Sequence, residues 1–243
     1  MAEMGLFEAM YTARALRRLK PDPVPDEIIA KVIDAGIRAA SGANNQNWIF
    51  VVIKDPDKRA RIGELYRRAG QVFMEMYRDA PRPAHMSEKA YARMTASAAY
   101  LFEHVHEVPV LLLACLNPPK MVPAKGKLPS EMANAGKVAP RLAGSSIYPA
   151  VQNIILACRA FGLGTVLTTG VTYLEEQVKT VLGLPPQVET YALLPIGYPE
   201  ENHSFGPVRR NPVNQVTFLD SWGNRWPKQE PKLEQENPSR ERK

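Results

Sequence analysis

The chain has 243 residues, of which 45% are hydrophobic and 23% charged. That length supports one large domain or two small ones with a core that needs no disulfide or metal, so disorder throughout is excluded. Thirty-one Lys and Arg against 25 Asp and Glu leave a net charge of +6, a modest excess that suits a phosphorylated ligand, nucleic acid or plain solubility. The longest apolar run, Val108–Leu116, falls far short of the ~20 residues that span a bilayer. Met1–Met10 shows no basic stretch followed by an apolar one, so no secretory leader is expected there. Cys115 and Cys158 both lie in apolar segments and read as buried free thiols, compatible with a reducing cytoplasm.

Residues 4–13 read as a short helix leading into the basic stretch Arg14-Ala15-Leu16-Arg17-Arg18. A proline-punctuated link, Lys20 to Pro25, follows. Asp26 then opens a helix whose apolar positions, Ile28, Ile29, Val32, Ile33, Ile37 and Ala40, recur at helical spacing. Trp48–Lys54 is aromatic and β-branched and predicts a buried strand. Asp55-Pro56-Asp57 is a turn suited to starting a helix. Residues 58–79 and 87–107 read as helices split by Pro81-Arg82-Pro83, and Val110–Leu116 as a second buried strand. Residues 117–143 are rich in Pro, Gly and Lys and predict a long loop.

Ile147, Val151, Ile154, Ile155, Cys158 and Phe161 mark an apolar helix ended by Gly162 and Gly164. Thr165–Thr168 and Glu189–Ile196 predict strands, Tyr173–Leu182 a helix, and Val213–Leu219 a last strand or extended arm. Residues 228–243 are charged and nearly free of large apolar side chains, so disorder is expected. Because helices and strands do not alternate regularly, an α+β layer fold fits better than a doubly wound sheet.

Several chemistries are missing. Gly162 and Gly164 follow a helix, not a strand, and the third glycine of a dinucleotide fingerprint is replaced by Leu167. There is no phosphate loop, CxxC, HExxH or GxSxG. His104 and His106 stand two apart, which on a helix points them away from one another, so no metal site is assigned. No cluster of Ser, Cys or His proposes a nucleophile. An enzyme with this inventory binds and orients a cofactor that does the chemistry.

Four segments remain. The guanidiniums of Arg14, Arg17 and Arg18 match phosphate oxygens in pairs, although a solvated basic face also accounts for them. Ser41-Gly42-Ala43-Asn44-Asn45-Gln46-Asn47-Trp48 is dense in groups that both donate and accept, suited to a polar ring or a sugar-like chain; a helix-ending loop with Trp48 in the core explains it equally. Thr168-Thr169-Gly170 ends a strand in hydroxyls and a glycine. Arg209-Arg210 adds distant charge that alone reads as surface.

Taken together and in order, the segments resemble the FMN-dependent nitroreductase family. TARALRRLKPDPVP is similar to its arginine-rich start, AASGANNQNWIFVVI to its serine- and amide-rich loop, SSIYPAVQNIILACRAFGLGTVLTTG to its central helix and strand, and LLPIGYP with VRRNP to its C-terminal signature. The likeness runs from about residue 7 to 220.

What the resemblance implies is an α+β nitroreductase-like fold: a central, mostly antiparallel sheet surrounded by helices, in a domain-embracing homodimer. One FMN-binding domain would cover 1–227, with 228–243 as a charged tail. Arg14, Ala15 and Arg17 then match residues that hold the flavin phosphate and ribityl chain, and Arg210 the C-terminal phosphate arginine. Ala40, Ser41, Gly42 and Asn44 match a loop reaching the partner's flavin. Ser146 and Ile147 match the start of the central helix near the ring, and Thr168, Thr169 and Gly170 the loop facing its N5 edge. Ala15 stands where the family has serine, and Ala40 and Asn47 where it has prolines, changes that remove a hydroxyl contact and loosen the loop.

The implied activity is a cytoplasmic, ping-pong oxidoreductase in which NADPH or NADH reduces FMN and a nitroaromatic or quinone-like acceptor is reduced in turn. Met74, Met76, Tyr77, Tyr100 and Phe102 are candidates for the substrate wall. The alternatives are an FMN-dependent ene-reductase or reductive dehalogenase of the same family, a flavin-storing or flavin-cleaving relative, and, outside enzymes, a phospholigand- or nucleic-acid-binding module. The last lacks the aromatic-interleaved basic stripe such modules use. Neither a membrane nor nucleic acid is expected as a partner.

Overall fold

A computed structural model describes residues 4–118 and 135–229, the stretch 135–141 by its backbone alone. The central feature is a four-stranded, wholly antiparallel sheet of β1 (Trp48–Ile53), β2 (Val110–Leu116), β3 (Gly164–Thr165) and β4 (Glu189–Gly197), in the order β1-β2-β4-β3. β2 is buried along its whole length, which is why it reads as a continuous apolar run rather than an alternating one.

Successive β2 side chains still point to opposite faces. Leu111, Leu113 and Cys115 face a core shared with Ile62, Leu65, Tyr66, Leu101 and Phe102. These last come from α3 (Pro56–Asp79) and α4 (Glu88–His104). Val110, Leu112, Ala114 and Leu116 face the other core, with Ile29 and Val32 of α2 (Asp26–Gly36) and Ile147, Val151 and Ile154 of α5 (Ala135–Ala160). The antiparallel α+β sheet wrapped by helices is the architecture expected.

Local chemistry explains the helix ends. Asp55 caps α3 by accepting from the Lys58 amide (2.8 Å), with Pro56 at the first helical position. Ser87 caps α4 through the Ala90 amide (3.2 Å). Gly70 lets α3 and α4 close: a Cβ there would stand 2.3 Å from the Phe102 ring. α6 (Glu175–Leu182) stops at Gly183 in the left-handed region. α1 (Leu6–Thr12) precedes the basic stretch.

Three expectations change. The loop predicted over 117–143 ends by residue 135, because α5 begins there and carries Pro140 within it; weak periodicity and a proline hid the helix. Residues 119–134 of that loop lie outside the described residues. Thr165–Thr168 is not one strand: pairing with β4 stops after Thr165 and resumes as a single bridge, Thr168 to Leu193. Val213–Leu219 is not a strand or an extended arm; it starts with a short helix, α7 (Val213–Val216), and turns so that Phe218 pairs with Arg225.

Two compact units divide the chain between Val208 and Arg209. The second includes α7 and a turn in which the Phe218 and Trp222 rings pack tilted, their centroids 4.4 Å apart. Of the tail expected to be disordered, 228–243, all but the first two residues lie outside the described residues.

Candidate functional site

The basic stretch is not helical, as α1 ends at Thr12. It runs as extended chain beside β3 and the end of β4: the Leu16 amide donates to the Thr165 carbonyl (3.0 Å) and the Lys20 amide to that of Tyr198 (2.7 Å). Leu16 and Leu19 turn inward, and the three arginines consequently diverge. Arg14 and Ala15 are exposed. Arg18 lays its guanidinium 3.5 Å from the Tyr100 ring centroid. Arg17 enters a cavity.

That cavity, about 170 Å3, is walled by Phe73, Tyr77, Leu101 and Phe102 and floored by Val166 to Gly170, with Tyr66 and Arg17 among its polar groups. Arg17 makes no hydrogen bond or ion pair with the described residues. Burial pulls it below the ordinary guanidinium value, while the Tyr66 and Tyr77 phenols act against that. Tyr66 is 2% exposed, and its hydroxyl lies 2.9 Å from Thr168 Oγ1. Burial pushes the Tyr66 phenol up to about 12, outweighing the Thr168 bond and the Arg17 charge. Thr168 is fixed by two backbone bonds with Leu193 (2.8 and 3.1 Å). A Cβ on Gly170 would lie 2.9 Å from the Tyr66 ring, so only glycine closes the floor there.

The second group of expected residues forms on the other face of the sheet. Ser146 is buried near the middle of α5, beside Ile147, which is fully buried. Its Oγ accepts from the Gly42 amide (3.0 Å), and its carbonyl accepts from Trp48 Nε1 (2.7 Å). Ser41 Oγ accepts from the Gln46 amide (3.1 Å). Ala40, Gly42 and Asn44 are exposed. Ala43, Asn44 and Gln46 hold φ of 53°, 54° and 48°, the left-handed region that costs a non-glycine residue ~1 kcal/mol or more. The loop is nonetheless pinned, because Asn47 exchanges bonds with Asn117 through its carbonyl (2.9 Å) and side-chain amide (3.3 Å). At Asn47, one of the two positions where the resemblance has a proline, these bonds tie the loop to the end of β2. Arg210 belongs to the second unit, is exposed, and donates to the Arg209 carbonyl (2.9 Å).

The fold thus gathers Arg17, Thr168, Thr169 and Gly170 into one cavity, and Ser41, Gly42, Ser146 and Ile147 into a separate cluster. Of the substrate-wall candidates, Tyr77 and Phe102 line the cavity. Met76 lines a second, mostly apolar cavity of about 290 Å3 that shares Phe73 with the first. Met74 packs on the core, and Tyr100 carries Arg18. Sequence reasoning missed Tyr66. Its place in the stripe Ile62, Tyr66, Ala69, Phe73 marks it as core, and its hydroxyl partner lies 102 residues away.

Among the described residues no three His, Cys, Asp or Glu side chains gather to hold a metal, and no helix is long and apolar enough to cross a membrane. Cys115 and Cys158 are free and buried, and burial pushes both thiols up to about 12.

Comparison with known proteins places this arrangement. A NADH dehydrogenase from Thermus thermophilus is 29% identical over 211 residues, 86% of this chain and 93% of that protein. Iodotyrosine deiodinase 1 of Rattus norvegicus is 27% identical over 216 residues, 89% of this chain and 70% of that protein. The crystal structure of an oxidised iodotyrosine deiodinase bound to FMN and 3-iodo-L-tyrosine shares the fold with a TM-score of 0.61, at 21% identity over 89% of this chain and 99% of the other. The model of the nitroreductase family matches residues 11–198, and with most of its length so matched the chain belongs to that family of oxidoreductases.

Proposed function

We propose that the protein binds FMN and uses NADPH or NADH to reduce a nitroaromatic or quinone-like acceptor. The observation that carries this reading is the Arg17 cavity. A half-buried guanidinium without a partner among the described residues is costly to keep, and here it stands among aromatic walls and hydroxyls, a lining suited to a flat ring with polar edges. When bound, FMN supplies the exchange of electrons between the two substrates. The chain's own groups bind and orient. Arg17, which the resemblance assigns to the phosphate and ribityl chain, shares its cavity with the Thr168 loop and so meets the ring's acceptor edge, or the charge that develops on it, instead; Thr168 offers a hydroxyl. Phe73, Leu101 and Phe102 exclude water, which strengthens both. No side chain acts as a nucleophile. Reductant and acceptor use the same cavity in turn, which is ping-pong order.

A homodimer completes this reading. The cavity is smaller than the ~300 Å3 at which ligand pockets begin, so one chain encloses only part of a flavin. The Ser41–Asn44 cluster faces away from it, where it can serve a partner's flavin. Exposed apolar side chains on α1 (Leu6, Phe7, Met10, Tyr11) and α5 (Leu142, Tyr148) supply a surface for a second copy.

The test is uptake of FMN followed by turnover. Protein incubated with FMN and desalted should retain a flavin spectrum near one FMN per subunit, and anaerobic NADPH or NADH should bleach it. Re-oxidation by a nitroaromatic or quinone then confirms the acceptor class. A protein that retains no flavin refutes the proposal. A second reading, reductive dehalogenation, is favoured by the iodotyrosine deiodinase relatives; it predicts halide release from a halophenol with little nitroaromatic turnover.

A further inference from the structure

The hydroxyl of Thr168 has two neighbours able to donate to it. A threonine hydroxyl has one proton to donate and two lone pairs that accept. The Gly170 amide reaches back to Thr168 Oγ1 at 3.5 Å, and the Tyr66 hydroxyl approaches the same atom at 2.9 Å. Tyr66 keeps its proton at any ordinary pH, since burial raises it to about 12, so it is always able to donate. When Tyr66 donates, both acceptor positions of Thr168 are occupied and the threonine's own proton is left for the cavity that Thr168 lines. The Tyr66 ring cannot drift from this arrangement, because it is seated against the Gly170 backbone and packs at 4.7 Å on Phe102.

We propose that Tyr66 is a positioning residue that locks the Thr168 hydroxyl as a hydrogen-bond donor into the cavity, so that the site binds its flavin more tightly oxidised than reduced. The inference rests on the FMN reading above. The Thr168 loop is the one matched to the ring's N5 edge, a nitrogen that accepts in the oxidised ring and carries a hydrogen in the reduced one, so a donor aimed there loses its acceptor on reduction. Without the phenol, a Thr168 lone pair is free, and the hydroxyl can rotate to accept instead of donate.

Tyr66→Phe removes the hydroxyl and retains the ring that seats on Gly170. The experiment compares wild type, Tyr66→Phe, Thr168→Val and the double variant in three measurements: the midpoint potential of bound FMN, the dissociation constant of oxidised FMN by fluorescence quenching, and the melting temperature of the apoprotein. Tyr66→Phe should gain about tenfold in preference for reduced over oxidised flavin, a rise of about 30 mV for a two-electron couple, with the oxidised dissociation constant within about threefold of wild type. Thr168→Val should shift the same way. In the Thr168→Val background Tyr66→Phe should add nothing, because it acts through that hydroxyl.

A wild-type potential in Tyr66→Phe overturns the inference, and so do additive shifts in the double variant. A lower apoprotein melting temperature at unchanged potential also overturns it, leaving Tyr66 a packing residue. Failure of the wild type to take up FMN is a different outcome, which removes the proposed function and this inference together.

Discussion

Replacing Arg17 with methionine should make the apoprotein more stable and the holoprotein harder to form. Arg17 lies half-buried in the cavity, loses solvation there and has no hydrogen-bonded or ionic partner among the described residues. Methionine keeps an unbranched stem of similar length, so the packing of the aliphatic portion survives. Removing an unpaired, partly desolvated cation should raise stability by up to ~1 kcal/mol, a small gain because solvent still reaches the guanidinium.

The ligand side is larger. A guanidinium gives two hydrogen bonds to a suitable acceptor, each worth ~1.5–3 kcal/mol when one partner is charged. The two together amount to ~3–6 kcal/mol, and halving that for partial exposure leaves ~1.5–3 kcal/mol, or roughly 10- to 150-fold weaker FMN binding. Urea denaturation of the apoprotein and fluorescence titration with FMN measure the two quantities separately. A destabilised apoprotein with unchanged FMN affinity would show that Arg17 supports the fold and does not await a ligand.

Gly170→Ala should destabilise by ~1–3 kcal/mol, because the new methyl meets the Tyr66 ring at 2.9 Å; wild-type urea stability would contradict this. Trp48→Phe removes the bond to the Ser146 carbonyl and should cost ~1 kcal/mol. It should also speed hydrogen exchange at the Gly42 amide, and an unchanged exchange rate there would mean that Ser146 is held by other contacts. Alkali should destabilise the fold. Tyr66, Cys115 and Cys158 hold their protons to about pH 12, against ordinary values of 10 for the phenol and 9 for the thiols. Their folded values lie above their unfolded ones, so the stability they contribute is intact below pH ~9 and is lost as pH rises towards 12, at ~1.4 kcal/mol per pH unit for each group titrating. Equal unfolding free energies at pH 8 and 10.5 would refute this, and Cys158→Ala should make the slope shallower.

Much of the fold was legible because it is written in short-range patterns. β1, β2 and β4 appear as β-branched and apolar runs, and α2, α3 and α4 as helical stretches, the last two with a capping Asp55 and Ser87 next to them. The misreadings have local causes. Pro140 within α5 and the weakly periodic stretch before Ser145 imitate a loop. At Val213–Leu219 the β-branched residues imitate a strand, but Pro212 leads into a helical turn.

The candidate site was legible as a set of segments and not as a site. The sequence alone singled out the candidate segments, and their order and residue types identified the family. Tertiary structure decided how they divide. Arg14, Arg17 and Arg18, neighbours in sequence, go to solvent, cavity and aromatic face, because extended chain beside β3 sends successive side chains in different directions. Ser41 and Ser146, far apart in sequence, meet in one cluster, while Thr168 lies on the other face of the sheet. Tyr66 shows the limit most clearly: its place on α3 is fixed by helical periodicity, but what its hydroxyl meets depends on a residue brought to it across the sheet, and no local pattern encodes that distance.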